Sequence, residues 1–234
     1  MEPQATAVAT DVLDAVAEGR YPLPHDVLGA HLNDGVVTIR SVHHLADSVE
    51  VLTQDHTYPA THEHGGVWVC VFAAEDIPDY RLRVTYGDHS QVVDDPYRFL
   101  PTVGEMDTYL ISEGRHERLW EVLGAHLMHF DGVMGPVDGV AFAVWAPNAQ
   151  AVRVVGDFNF WDGTGHAMRT MGASGVWELF IPGVGVGARY KFEIQGPSGN
   201  WFQKADPMAR ATEIPPATAS VVTDVFHTWN DEDW

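Results

Sequence analysis

The side chains best suited to chemistry lie in the second half of the chain. Trp145-Ala146-Pro147-Asn148-Ala149 is followed by Val152-Arg153-Val154-Val155-Gly156-Asp157-Phe158-Asn159-Phe160-Trp161-Asp162. Together they read as a strand, a Pro-Asn turn, a second strand and a Gly-Asp turn that delivers Asn159 and Trp161 past a strand end. Downstream, Tyr190-Lys191-Phe192-Glu193-Ile194 alternates so that Lys191 and Glu193 share one strand face, and Asn200-Trp201-Phe202 opens the next strand after a tight turn. Two indoles with a lysine and an asparagine on one surface suit a sugar, whose C–H faces stack on flat apolar rings while its hydroxyls need donors and acceptors. The same two tryptophans would serve equally well as covers over a sandwich core, the ordinary fate of tryptophan.

Other chemistries fit less well. Asp157, Asp162 and Glu178 offer carboxylates, but a glycosidase needs two acids about 5 to 9.5 Å apart across a cleft, and turn or cap roles suit these positions better. Gly183-Val184-Gly185-Val186-Gly187 precedes a strand-like run rather than the helix N-terminus a phosphate cradle needs, so it reads as a hairpin turn. Histidines cluster at His43-His44, His62-Glu63-His64 and His126-Leu127-Met128-His129, but none completes a tetrahedral ligand set, and no metal or other cofactor is expected. No Gly-x-Ser-x-Gly elbow occurs, and no catalytic centre is expected.

Composition narrows the partners. A formal net charge of −20 repels phosphate backbones and anionic lipid, so nucleic acid and membrane are excluded as partners. The single cysteine, Cys70, cannot form an internal disulfide, and neither an export signal nor a span-length apolar run is present; a cytoplasmic location follows.

The elements that must position these residues read as all-β. Gly and Pro punctuate short β-branched and aromatic runs, and the chain repeats itself. Asp26-Val27-Leu28-Gly29-Ala30-His31-Leu32 returns as Glu121-Val122-Leu123-Gly124-Ala125-His126-Leu127, and Gly35–Ile39 returns as Gly139–Ala143. Then Val49–Val51, Gly66–Trp68, Tyr80–Leu82 and Asp95-Pro96 align in order with Val152–Val154, Gly175–Trp177, Tyr190–Phe192 and Asp206-Pro207. The pattern predicts two tandem immunoglobulin-like β-sandwich modules over 23–113 and 129–226. An N-terminal helical segment (1–22), a connecting helix and junction (114–128) and a linker (227–234) flank them. Within the second module, strands are expected at Val140–Trp145, Ala151–Gly156, Val176–Ile181, Arg189–Gln195, Trp201–Lys204 and Ser220–Val225. Thr10 is expected to cap a first helix, and a second is expected over Arg115–Leu123, ending at Gly124.

At these residues a resemblance enters. Phe142–Ala149, Val152–Trp161, Tyr190–Ile194 and Asp206-Pro207 resemble the starch- and glycogen-binding modules of carbohydrate-binding family 48. Leu123-Gly124-Ala125-His126 and the degenerate copy before it resemble the N-terminal region of bacterial glycogen branching enzymes of actinobacterial type, and the resemblance covers essentially the whole chain. A family 48 module alone would also fit debranching and trehalose-forming enzymes; the duplicate favours branching enzymes.

The resemblance implies a parent that cuts an α-1,4-glucan and transfers the segment to a 6-hydroxyl by retaining double displacement, its carboxylates lying on a following barrel. Such a barrel needs roughly 250 residues, so this chain alone is expected to be inactive. Its implied partners are α-glucan (glycogen or maltooligosaccharide) and that barrel, and its first module is implied in chain-length control. Similarity to the glycogen-binding module of AMP-activated kinase assigns glucose contacts to Trp161, Lys191 and Trp201, with Asn159 and Asn200 beside them. The first copy has Leu52-Thr53-Gln54-Asp55 in place of the tryptophan turn, Arg81 for the lysine and His89 near the second tryptophan's place, and is expected to have lost sugar binding. The competing readings are a free-standing glycogen-binding scaffold and purely structural modules with both indoles buried on the barrel.

Overall fold

The computed structural model describes residues 3–224. The expected linker, and the expected end of the last strand at Val225, lie outside them. Strands dominate, and among the described residues there are two α-helices, α1 (Thr10–Ala17) and α2 (Glu105–Ser112). The first copy runs through β1 (Gly29–Asn33), β2 (Val36–Val42), β3 (Ser48–Leu52), β4 (Thr57–Pro59), β5 (Thr61–His64), β6 (Val67–Ala73), β7 (Arg81–Tyr86) and β8 (His89–Val93). The second runs through β9 (Gly124–Phe130), β10 (Val137–Trp145), β11 (Ala151–Gly156), β12 (Arg169–Thr170), β13 (Val176–Pro182), β14 (Arg189–Gln195), β15 (Trp201–Lys204), β16 (Ala211–Thr212) and β17 (Ser220–Val221).

Among the described residues all strand pairings are antiparallel. In the first copy, β1-β2-β6-β5 forms one sheet and β4-β3-β7-β8 the other; in the second, β12-β13-β10-β9 faces β11-β14-β17-β16, with β15 also on β14. Alternation builds the cores: in β7 Leu82 and Val84 point in, and in β14 Tyr190 and Phe192 do the same between outward Arg189, Lys191 and Glu193. β13 instead is buried along nearly its whole length because residues of the first copy's tail cover its outer face.

The helices depart from expectation. Ala9, not Thr10, occupies the cap of α1, with no side-chain hydrogen bond. No α-helix covers Arg115–Leu123. The helix lies earlier, at Glu105–Ser112, where Glu105 and Asp107 sit in the positively polarised first turn. Past Gly114, which takes φ +65°, the chain makes only a 3-10 turn at Leu119–Glu121 before β9 begins, so the last part of the expected junction is strand. Seen in three dimensions, the helix belongs to the repeat. Both ends of α1 and α2 differ by 95 (105 − 10 and 112 − 17), as do the 3-10 turns beginning at Pro24 and Leu119. Gly19 and Gly114 both end their helices at positive φ.

The two copies share a core. Leu13 and Val16 of α1, with Leu28 and Tyr97, pack in one cluster with Val152, Val154, Met168 and Phe192 of the second copy, while Val37, Ile39, Trp68, Tyr80 and Leu82 form the first copy's own interior. At the seam, Glu178 is fully buried, ion-paired with Arg169 and hydrogen-bonded by the Thr102 amide (3.1 Å) and hydroxyl (2.7 Å). Arg169 also donates to the Phe99 carbonyl at 3.2 Å. Such a pair is costly to break, because removing one partner strands a buried charge.

Candidate functional site

The Gly156–Asp162 turn is the most strained exposed feature of the second copy. Phe160 and Trp161, adjacent and neither a glycine, take φ +54° and +64°. Positive φ costs such residues about 1–3 kcal/mol each and persists where surroundings impose it. Asn159 imposes it: its Oδ1 accepts from the Gly156 amide at 2.8 Å, and its Nδ2 donates to the Val154 carbonyl at 2.9 Å and to His166 Nδ1 at 3.1 Å. The Trp161 amide closes the turn on the Gly156 carbonyl at 2.8 Å. The consequence is an aromatic pair in solvent: Phe160 is 93% exposed and Trp161 37%. Burial, with His43 of the first copy adding to it, pushes His166 down to about 4, so a neutral imidazole completes the bracket.

Strand register places the other candidates. Lys191 pairs with Val155, one residue from Gly156, so it stands at the Trp161 end of the sheet, its Nζ 2.8 Å from Thr218 Oγ1. Trp201 pairs with Gln195, four residues further along β14, or about 13 Å. Between these ends lies an ion pair. Arg153 meets Glu193 at 2.6 Å, donates to the Glu18 carbonyl at 3.0 Å, and lays its guanidinium 3.7 Å from the Trp201 ring centre. One face of Trp201 is therefore taken by a cation. Asn200 Nδ2 donates to Ser198 Oγ at 3.2 Å at the exposed β14–β15 turn.

The structure thus gathers Trp161 and Lys191 at one end of an outward face and Trp201 and Asn200 at the other. It ties Asn159 into the turn, its carboxamide bonded to Gly156, Val154 and His166. Phe160 is the residue that sequence reasoning missed. A phenylalanine in an apolar-aromatic turn carries no signal of exposure; only its positive φ turns it outward.

The carboxylates are structural. Asp162 Oδ1 accepts from the Thr164 amide (3.0 Å) and hydroxyl (2.8 Å), Asp157 meets Arg189 at 3.2 Å, and Glu178 is buried at the seam. In the His62-Glu63-His64 run, Glu63 holds Arg40 with both oxygens (2.7 and 2.8 Å), and His64 meets Asp14 at 2.6 Å. In the first copy the counterpart positions differ. Thr53 closes a tight turn on the His56 carbonyl at 2.9 Å without any exposed indole, and Arg81 pairs with Asp94 at 3.2 Å and reaches the Pro136 carbonyl at 3.4 Å.

Comparison with known proteins agrees with this division. Residues 9–97 match the N-terminal domain of alpha-1,4-glucan branching enzyme GlgB, and residues 122–209 match carbohydrate-binding module 48 (isoamylase N-terminal domain). The chain is 53% identical over 227 residues to the 1,4-alpha-glucan branching enzyme GlgB of Frankia casuarinae, covering 96% of this chain and 28% of that protein. It is 52% identical over 234 residues to the enzyme of the same name from Thermobifida fusca, covering 99% and 31%. The chain therefore spans about 30% of the length of these relatives. Among solved structures, pullulanase type I from Bacillus subtilis aligns over 86% of this chain and 27% of its own, at 17% identity and a TM-score of 0.37. The two tandem β-sandwiches coincide with the two matched regions, and along nearly its whole length the chain is similar to the N-terminal part of glycogen branching enzymes, a GlgB N-terminal domain followed by a family 48 carbohydrate-binding module.

Proposed function

We propose that the chain is the glucan-binding, non-catalytic part of a 1,4-α-glucan branching enzyme. The second copy holds an α-1,4-glucan through Phe160 and Trp161, with Lys191 supplying a donor beside them and Trp201 and Asn200 continuing the contact along the outer face. The observation that carries this reading is the bracketed turn: Asn159 holds two consecutive aromatic residues at positive φ, a strained arrangement that exposes apolar rings instead of burying them. The 48% to 53% identity to curated branching enzymes over nearly the whole chain supports the parent activity, cutting an α-1,4-glucan and forming α-1,6 branches in glycogen.

The catalytic barrel of that parent is the proposed protein partner. Asp157, Asp162 and Glu178 are committed to turns and ion pairs, and in this reading the 234-residue chain alone has no branching activity. A cytoplasmic location fits the buried Cys70, whose thiol burial pushes up to about 11 and so out of reactivity at neutral pH. Among the described residues, no helix is long and apolar enough to cross a membrane.

Calorimetric titration with maltoheptaose tests the site. Wild type binds weakly, since a shallow platform buries little of a flexible chain, and Trp161→Ala lowers affinity at least about fivefold, the loss of a stacking contact of about 1–3 kcal/mol. Equal affinity in wild type and in Trp161→Ala combined with Trp201→Ala removes the proposed face.

A further inference from the structure

We propose that the first copy, although it presents no indole of its own, is a working part of the sugar site, with Tyr97 as the positioning residue that fixes the Trp161 loop. This rests on the reading that Trp161 contacts glucan.

The loop from Trp161 to Ala167 leaves the sheet and returns along the edge of β11, where the Val154 amide donates to the His166 carbonyl at 3.1 Å and the Met168 amide to the Val152 carbonyl at 2.8 Å. Its outer side rests on the first copy. The Tyr97 hydroxyl lies 3.1 Å from the Gly165 carbonyl and 3.3 Å from that of Ala167, and it accepts from the Ala167 amide at 2.9 Å. The contact is buried. Gly19, at the end of α1, approaches so closely that a Cβ there would stand 2.8 Å from the Thr164 carbonyl oxygen. His166, between Gly165 and Ala167, lies 3.1 Å from Asn159 Nδ2, and Asn159 holds the turn. The loop is thus held by the first copy at Gly165 and Ala167 and closely approached at Thr164, within six residues of the exposed indole. The second copy carries Met208 where the first has Tyr97, at the same place after Asp-Pro, and so has no hydroxyl to offer. The duplication has left one copy with the ring that meets the ligand and the other with the hydroxyl that holds its loop.

Tyr97→Phe removes the hydroxyl and keeps the ring. Maltoheptaose affinity falls about fivefold, the loss of one to two buried hydrogen bonds, and in a 5-fluorotryptophan-labelled chain the Trp161 fluorine resonance, assigned by its absence in Trp161→Phe, shifts and broadens. Gly19→Ala pushes the same loop from a second point and moves the same resonance. Thr102→Val breaks the seam at Glu178, away from the loop; it lowers Tm but leaves affinity and the Trp161 resonance unchanged. If Trp161→Ala weakens binding while Tyr97→Phe and Gly19→Ala leave both affinity and resonance at wild-type values, the positioning role is wrong and the site stands. Unchanged binding in Trp161→Ala overturns the site itself, and the positioning role falls with it.

Discussion

The two copies keep one set of contacts and differ in another. Both begin with an eight-residue helix ended by a positive-φ glycine, and both place a histidine Nε2 near the carbonyl three residues before it, His31 to Leu28 at 3.1 Å and His126 to Leu123 at 3.0 Å. Trp68 and Trp177 each donate their indole N–H at 3.1 Å to the residue after a strand, His43 and Ala146. Tyr80 and Tyr190 each donate a buried hydroxyl to Asp95 and Asp206, whose carboxylates also accept from the amide two residues on. Everything that repeats holds the sandwich together. The Leu-Gly-Ala-His pair, the most recognisable motif in the sequence, does not face solvent as a ligand set; it starts β1 and β9.

What differs faces outward or across the seam. The first copy's counterpart of the tryptophan turn carries no indole, Lys191 is replaced by an ion-paired Arg81, and the buried Glu178 of the second copy stands at the register position of Val69 in the first. Gly19 is pressed against Thr164, whereas its repeat partner Gly114 has open space and lines an apolar groove of about 360 Å³. A duplicated fold is read most usefully by subtraction, the shared contacts giving stability and the remainder giving function.

The largest effect should come at the seam. Glu178→Ala leaves Arg169 buried without its partner and should cost about 3–5 kcal/mol, lowering Tm by roughly 10 °C in a chain of this size; Val69→Ala, at the equivalent place in the first copy, should cost clearly less in the same thermal scan. Comparable losses at the two positions would erase the distinction.

Acid comes next. Burial pushes His25 down to about 3 and His43 and His166 to about 4, below the ordinary 6.5, so the stability they confer is complete above pH 6.5 and is lost as pH falls towards 4. Asp95, pushed up to about 6 by burial, and Asp206, raised by the same cause, act in the opposite sense and offset part of it. Denaturant titrations should therefore show a net loss of about 1 kcal/mol per pH unit between 6 and 4, and His43→Gln should flatten that slope. A slope that is already flat in wild type contradicts the assignment of these imidazoles as buried and neutral.

The smallest effect separates the two helix-ending glycines. Gly114→Ala should lose only about 1 kcal/mol for its positive φ, whereas Gly19→Ala adds the approach to Thr164 and should lose more. Equal losses would place no importance on the contact.

Much of this was legible from residue order. Ala151–Gly156, Arg189–Gln195 and Trp201–Lys204 are strands at the expected bounds, because alternation and turn residues fix both ends. The helix at 115–123 was not, since Leu119, Val122 and Leu123 mimic helical spacing while serving as a connector that packs on Val103 and Val176. The repeat itself held the correction: Glu18-Gly19-Arg20 recurs as Glu113-Gly114-Arg115, which aligns the helices before them. Asn159 looked free and is spent locally, a distinction that residue type alone cannot make. Tyr97 lies about 70 residues from the loop it holds, and no local pattern joins them.

Hydrogen exchange of the whole chain with and without saturating maltoheptaose tests the division between the copies most directly. The account predicts new protection in peptides spanning residues 156–166 and 189–204, with residues 52–58 and 81–93 unchanged. Protection at the first copy's counterpart turn, or no change in the second copy, would contradict it.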